Sequence, residues 1–363
     1  MRFALVGDHP NGVAAARALV QGGRHLLIAV LDQPAPDFAP IAVRHHDLEE
    51  ILADPAVELV IIASKLSDRG EHLRRAIQAE RDVLCVLPCA ANIDRVYEAT
   101  LMQSETKRLL LPLAPMALHP MIERVQQWRA EVKSPLTRVQ WECPLPDRTT
   151  DFPRWEVLRR LGGEIAEITG LAESEKWDGK GALVVTGRFR EGGLFQISTG
   201  PGIHEERIRI ESANQTQQFQ CSKDWQRLSW NCDAGPMETL EFAPWGVLAE
   251  ELDSQLAGRP PRFSWQDAIR WHELDEALRR SIEKRRTETL DYQEVSADAG
   301  SKGTITLIGC AMLWIVVLIF AISIWVPWVR WAVVPMLLGF LALVLIRTLG
   351  KGEPPKARSE RET

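Results

Sequence analysis

The sequence predicts a doubly wound α/β domain, an α+β domain with an open, mostly antiparallel sheet, and two C-terminal transmembrane helices. Short apolar strands alternate with helical segments over residues 1–90, and apolar and polar residues alternate in segments between 136 and 211. Two long runs without a charged residue follow residue 303. These changes of pattern divide the chain into 1–118, 119–292, a linker at 293–303, transmembrane helices at 304–328 and 331–349, and a disordered tail at 350–363.

The composition excludes several classes of protein. The chain has 363 residues and a net charge of −6, which argues against nucleic-acid binding because that function needs a basic face. Its six cysteines form no CxxC pair and no Cys/His cluster with metal-ligand spacing, so no metal site is predicted. Cys85 and Cys89 flank an apolar run and are interpreted as buried thiols, with a redox pair as the alternative.

The N-terminal part follows the pattern of a nucleotide-binding Rossmann domain. Strands are predicted at 3–6, 26–31, 57–63 and 82–86, with helices at 13–21, 48–52 and 70–78. Gly7 and Gly12 hold the first and third positions of a dinucleotide fingerprint, and Asp32 lies 20 residues beyond Gly12, where an acid binds ribose hydroxyls. His9 replaces the middle glycine, where a side chain crowds the pyrophosphate. The sequence leaves two alternatives open: a Rossmann domain that binds a dinucleotide, and a Rossmann domain that no longer binds one.

A recognisable pattern runs through residues 1–292, in the segments 54–64, 72–76, 82–90, 159–172, 181–232 and 261–286. Together these segments resemble the Gfo/Idh/MocA family of NAD(P)-dependent sugar and inositol oxidoreductases. The resemblance implies a Rossmann domain, a C-terminal α/β domain with a closing helix at 265–285, and NAD or NADP as cofactor. The cofactor-binding positions that it implies are Gly7, His9, Gly12, Asp32, Ser64, Lys65 and Pro88. Lys65 would either touch a phosphate or be a solvated loop lysine.

The residues that catalyse the family's reaction are missing at the matching positions. Family enzymes carry Glu-Lys-Pro where this chain has Val86-Leu87-Pro88, so Leu87 stands in place of the proton-shuttling lysine. The Asp and His of the second family motif, expected on one helix, fall on Ile168 and Ala172. Apolar side chains cannot transfer protons. We therefore expect no catalytic residue at Leu87, Ile168 or Ala172.

Three functions stay open on this reading. The first is a membrane-anchored protein without the family's dehydrogenase chemistry, with a role in sensing a nucleotide or metabolite or as a scaffold. The second is an active oxidoreductase on a sugar or polyol that uses relocated groups, for which Glu164, Glu167, Glu173 and His119 are the candidates. Glu164 and Glu167 are better explained as acids at the start of a helix. The third is an interaction module without a ligand.

The C-terminal region predicts a membrane hairpin. Residues 304–329 carry no charge, and at 1.5 Å per residue they are long enough to cross a hydrocarbon core of ~30 Å. A second uncharged run covers 331–346 after a short turn. Lysines and arginines cluster at 284–302 and after 346, so the positive-inside rule places both ends in the cytoplasm. We expect residues 304–349 to contact lipid of the inner (cytoplasmic) membrane, with the N-terminal domains and the tail in the cytoplasm.

The free face of the second sheet is a candidate interface between copies of the chain. The resemblance implies a homo-oligomer through this face. Trp225, Trp230 and Trp245 could anchor it, and core packing is the equal alternative. One further surface is assigned from charge: Arg69, Glu71, Arg74 and Arg75 surround His72, which predicts an exposed helix face.

Overall fold

The structure, a computed structural model, describes residues 1–132, 134–145, 154–174, 177, 180–222, 224–232 and 235–292. The chain divides into two units, Met1–Glu294 and Val295–Thr363, and the described residues belong to the first. The predicted linker, hairpin and tail, 293–363, lie outside the described residues. Within the described ranges, no helix is both long and apolar enough to cross a membrane.

The first sheet has six parallel strands and the doubly wound order predicted for it. The strands are β1 (Arg2–Val6), β2 (Leu26–Leu31), β3 (Val43–His45), β4 (Leu59–Ile62), β5 (Asp82–Val86) and β6 (Leu110–Leu113), in the order β3-β2-β1-β4-β5-β6. Helices α1 (Pro10–Gln21), α2 (Leu48–Ala53), α3 (Leu66–Gln78) and α4 (Ile93–Thr106) connect them. The strand order reverses between β1 and β4, so a ligand site is expected where these two strands end.

The second sheet has nine strands and is antiparallel except for one pair. After a 3₁₀ turn (Pro115–Leu118) and α5 (Pro120–Val132), the chain forms β7 (Leu136–Cys143), α6 (Trp155–Gly162), β8 (Ile165–Ala172), β9 (Leu183–Phe189), β10 (Leu194–Thr199), β11 (Glu206–Ser212), β12 (Thr216–Cys221), β13 (Arg227–Cys232) and β14 (Glu238–Glu241). The sheet order is β14-β13-β12-β11-β7-β10-β9-β8-β15, with β15 at Glu288–Thr289, and only β7 and β10 pair in parallel. The open, mostly antiparallel sheet is confirmed.

Two helices at the end of the described chain pack back onto the rest. Helix α7 (Pro244–Leu256) contacts α1, and α8 (Trp265–Lys284) contacts β8, α4 and α6. Helix α8 begins with a capping box in which Ser264 and Asp267 satisfy each other's backbone N–H groups. The predicted closing helix at 265–285 is thus confirmed with its end one residue earlier.

The two faces of the second sheet differ sharply. Alternate residues of β7, such as Val139 and Trp141, are buried on one face. The other face carries ion pairs, among them Arg138–Glu211 and Arg188–Glu167. Of the three tryptophans considered as interface anchors, Trp225 and Trp230 are buried core residues and Trp245 is half-buried. A homo-oligomer through the polar face stays a prediction.

The expected helix over the second family motif is wrong. Helix α6 ends at Gly162, and Gly163 follows at φ +98°, a conformation that terminates the helix. The next residues form β8, which pairs with β9, so Ile168 and Ala172 lie on a strand. The assignment of Glu164 and Glu167 to a helix start is also wrong, because Glu164 directly precedes β8 and Glu167 lies on that strand. Glu164 pairs with Arg159, and Glu167 pairs with Arg188.

Candidate functional site

The two fingerprint glycines allow the chain to pack closely at the end of β1. Gly7 has φ +98°, and a Cβ there would lie 2.4 Å from the Ser64 backbone. A Cβ at Gly12 would lie 2.2 Å from the Cβ of Ala63. These contacts hold α1 against the end of β4. The glycines are therefore explained by packing, with or without a cofactor.

His9 occupies the start of α1 with its own side chain. Its backbone N–H donates to the Ala63 carbonyl at 3.0 Å, and its Nδ1 accepts from the Asn11 N–H at 3.3 Å. Pro10, the first helical residue, has no N–H to offer. In dinucleotide-binding Rossmann domains the N–H groups of this turn bind the pyrophosphate. Here the imidazole already caps an N–H in this turn, and the exposed Asp8 adds a negative charge.

Asp32 lies at the end of β2, where a ribose-binding acid is expected. Its side chain is exposed and contacts Nδ1 of His46 at 3.1 Å. The neighbouring Gln33 amide donates to the Gly7 carbonyl at 2.7 Å and so ties this loop to the end of β1. Asp32 therefore suits the ribose role, whereas the α1 turn does not fit a pyrophosphate.

The ends of β4 and β5 complete the candidate site. Ser64 is buried, and its Oγ has no hydrogen-bond partner among the described residues. Lys65 is exposed and directly precedes α3. Leu87 and Pro88 follow β5 and are joined by a cis peptide bond, with Leu87 buried. The side chains of Leu87 and Pro88 cannot transfer a proton at the position where the resemblance implies a lysine.

Arg69 organises this region, and sequence reasoning missed it. Its guanidinium is buried and donates to the carbonyl oxygens of Ser64 (2.8 Å) and Pro88 (2.6 Å), with a longer contact to that of Val86 (3.4 Å). It thus joins the ends of β4 and β5. The prediction of an exposed face is wrong for this residue. Arg69 lies four residues before the buried Leu73 on α3, so both side chains face the same side of the helix. This spacing is the signal in the sequence that indicates a buried arginine.

Helix α8 contacts the same loop through His272. The Nε2 of His272 accepts from the Cys89 N–H at 3.0 Å, and burial lowers the pKa of His272 to about 3. Cys85 and Cys89 are both fully buried free cysteines, and burial raises the pKa of Cys89. The interpretation of these cysteines as buried thiols is confirmed. The raised pKa keeps the Cys89 thiol in its neutral form.

A second buried polar cluster surrounds Glu206. Its carboxylate accepts from the indole Nε1 of Trp141 at 2.9 Å and from that of Trp225 at 2.5 Å. Burial raises the pKa of Glu206, while Arg154 opposes that shift. His119 packs edge-on against Trp225, and burial lowers its pKa to about 4. His119 and Glu206 both contact Trp225, and both are buried.

The site residues predicted from sequence separate into two groups. Gly7, His9, Gly12 and Ser64 meet where β1 and β4 end, and Arg69 links Pro88 to them. Ile168 is fully buried on β8 of the other sheet, and Ala172 lies at the end of the same strand. A cavity of about 1410 Å³ borders the fingerprint turn at Asp8 and Pro10, and a second of about 560 Å³ lies at the other end of β5; none of the predicted cofactor residues is among the lining residues of either. No cluster of metal-ligating side chains occurs in the part of the chain that the structure describes.

Comparison with solved structures confirms the fold. A probable dehydrogenase from Thermotoga maritima matches with a TM-score of 0.65 at 16% identity, covering 80% of this chain and 99% of its own. GenD2 from gentamicin A biosynthesis, in complex with NAD, matches with a TM-score of 0.66 at 20% identity over 80% of this chain and 97% of its own. The WlbA dehydrogenase from Bordetella pertussis, in complex with NADH and UDP-GlcNAcA, matches with a TM-score of 0.66 at 16% identity over 81% and 98%.

The other two comparisons found no relative. No protein-family model matches the chain, and no curated protein matches it. The chain therefore has the fold of NAD-binding oxidoreductases, and at these identities the likeness shows the fold alone.

Proposed function

We propose that this chain is a non-catalytic protein built on the fold of NAD-dependent dehydrogenases, with a sensing or scaffold role. The observation that carries the proposal is the loop after β5, where the buried Leu87 stands at the position at which the resemblance implies a proton-transferring lysine. Ile168, at the second catalytic position implied by the resemblance, is also fully buried.

The cap on α1 supports the same conclusion. The His9 imidazole accepts the Asn11 N–H that a phosphate would need. We expect NADH to bind the wild-type chain weakly or not at all. Removal of the imidazole in His9→Gly frees that N–H and restores the middle glycine of the fingerprint. His9→Gly is therefore expected to gain affinity for NADH.

The test combines titration and turnover on the full chain in neutral detergent. NADH and NADPH are titrated by calorimetry into the wild type, His9→Gly and a control, His204→Gly, which removes an exposed imidazole from the second domain. Turnover is then followed at the nicotinamide absorbance with a panel of sugars and polyols. We expect no turnover by any variant and a gain of affinity in His9→Gly only. Turnover by the wild type, or equal affinities in all three variants, would contradict the proposal.

An active oxidoreductase is the second candidate. The likeness to dehydrogenases solved with NAD or NADH favours it, as does the exposed Asp32 at the end of β2. His119 and Glu206 are the described groups that such an enzyme would use. Turnover that is lost in His119→Gln would establish this candidate in place of the first.

We also propose a membrane anchor at 304–349 with both ends in the cytoplasm. Its support is the absence of charge over 304–329 and the flanking lysines and arginines. A reporter fused after residue 363 should be active only on the cytoplasmic side. Activity only outside the cytoplasm would refute this orientation.

A further inference from the structure

The smaller cavity has an unusually cationic wall. It has a volume of about 560 Å³ and lies among the end of α4, the start of β6 and the connection between α7 and α8. Lys107, Arg108 and Arg259 line it, and Asp82 is the one acid among its lining residues. All three cations are exposed, and within the described residues none of them forms an ion pair.

The cavity is separate from the candidate dinucleotide site. Asp82 is the first residue of β5, whereas Leu87 and Pro88 follow its last residue. The five residues of β5 rise by roughly 13 Å from the first to the last. The cavity therefore opens at the amino ends of β5 and β6, and the fingerprint turn lies at the opposite edge of the sheet.

The remaining wall suits an organic anion. Leu110 and Trp265 contribute apolar surface, and the Nε2 of Gln266 is buried without a hydrogen-bond partner among the described residues. The single acid, Asp82, accepts the Leu109 N–H at 3.0 Å. Burial raises the pKa of Asp82, and this hydrogen bond and the charge of Arg108 oppose the rise. The volume falls within the ~300–1,000 Å³ of small-molecule sites. Cationic side chains with an amide donor are the groups that bind phosphoryl oxygens.

We propose that Lys107, Arg108 and Arg259 form a binding site for a phosphoryl-bearing anion at the edge of the first sheet opposite the fingerprint turn. The anion is either a soluble organic phosphate or the headgroup of an anionic phospholipid. The site does not depend on the proposed function, because it shares no residue with the α1 turn or the loop after β5.

The test uses the full chain in neutral-detergent micelles and three probes. Inorganic pyrophosphate represents the soluble source, phosphatidylglycerol added to the micelles represents the lipid source, and phosphatidylcholine is the zwitterionic control. The variants are Arg108→Gln and Arg259→Gln, with Arg44→Gln on β3 as an exposed control that removes the same charge. Thermal unfolding of each variant checks that the fold is retained.

We expect calorimetry to show saturable binding of at least one phosphoryl probe to the wild type. Arg108→Gln and Arg259→Gln should each weaken the affinity by about tenfold, because each loses one charge-assisted contact. Arg44→Gln should leave the affinity unchanged. Binding of pyrophosphate with no effect of phosphatidylglycerol identifies a soluble ligand. Competition by phosphatidylglycerol, and not by phosphatidylcholine, identifies a lipid headgroup. Absence of binding by both probes, or an equal loss in Arg44→Gln, overturns the proposal.

Discussion

The backbone N–H of Cys89 donates to Nε2 of His272 at 3.0 Å, which joins the loop after β5 to the closing helix α8. The imidazole must be neutral at Nε2 to accept this bond. Burial is the largest cause that lowers the pKa of His272 to about 3, and the charges of Arg279 and Arg69 add to it. The contact between the two domains is therefore sensitive to acid.

Acidification is expected to destabilise the fold through His272. The unfolded state takes up a proton near the ordinary pKa of 6.5, whereas the folded state resists protonation until about pH 3. The unfolded state thus binds more protons in this window, so the free energy of unfolding falls as the pH falls from 6.5 towards 3. The contribution between pH 7 and pH 5 is about 2 kcal/mol.

Urea unfolding of the full chain at pH 7 and pH 5 measures this effect, with His272→Gln as the test variant. The Gln Oε1 can still accept the Cys89 N–H, but it does not titrate. His272→Gln should lose less stability between the two pH values than the wild type by about 2 kcal/mol. His119 has a pKa lowered to about 4 by burial and contributes to the slope in both proteins. An unchanged slope in His272→Gln would show that the imidazole is not held neutral.

A methyl group at Gly12 is expected to disrupt the packing of α1. An added Cβ would lie 2.2 Å from the Cβ of Ala63 at the end of β4. Neither group is the flexible end of a long side chain, so the helix must move. Gly12→Ala should lower the free energy of unfolding by about 1–3 kcal/mol, the usual effect of overpacking.

Gly246 supplies the matched control for this substitution. It lies within α7, and the nearest heavy atom to an added Cβ is 3.9 Å away. Gly246→Ala should therefore raise the free energy of unfolding, by up to about 1 kcal/mol, because alanine is the better helix former. Equal effects of the two substitutions would show that Gly12 is not confined by Ala63.

The parallel sheet could be predicted from sequence because its strands are wholly buried. Residues 59–62 are all apolar and completely inaccessible to solvent, and continuous apolar runs of this kind are typical of strands covered on both faces.

Strand β8 was missed because the glycines at 162 and 163 match a helical motif. In the structure Gly162 leaves room for the ring of Phe189. That contact joins residues far apart in sequence, so no local pattern reveals it.

The candidate site was harder to predict than the fold. The sequence located Gly7, His9 and Gly12, but the cap that His9 places on α1 depends on a side-chain orientation. His72 was assigned to an exposed face, yet it is half-buried, and desolvation lowers its pKa. Its neighbour Arg69 is buried because three carbonyl oxygens converge on its guanidinium. The charge of an arginine in the sequence does not show whether its guanidinium is solvated or buried against the carbonyl oxygens at the ends of strands.

Glu206 is expected to stabilise the core of the second sheet through its two indole donors. Its Oε1 accepts from Trp141 and its Oε2 accepts from Trp225. In Glu206→Gln one of these oxygens becomes an NH₂ group, which faces an indole N–H and cannot accept from it. A buried donor without a partner costs about 1–3 kcal/mol. Glu206→Gln should lower the free energy of unfolding by that amount. Urea unfolding at pH 7, followed by tryptophan emission, measures this loss of stability.

Glu205→Gln is the control, because the Glu205 carboxylate lies at the surface with Arg207 and Gln220. Its effect on the free energy of unfolding should stay within about 0.5 kcal/mol. If both substitutions had the same effect, the two indoles would not depend on the buried carboxylate.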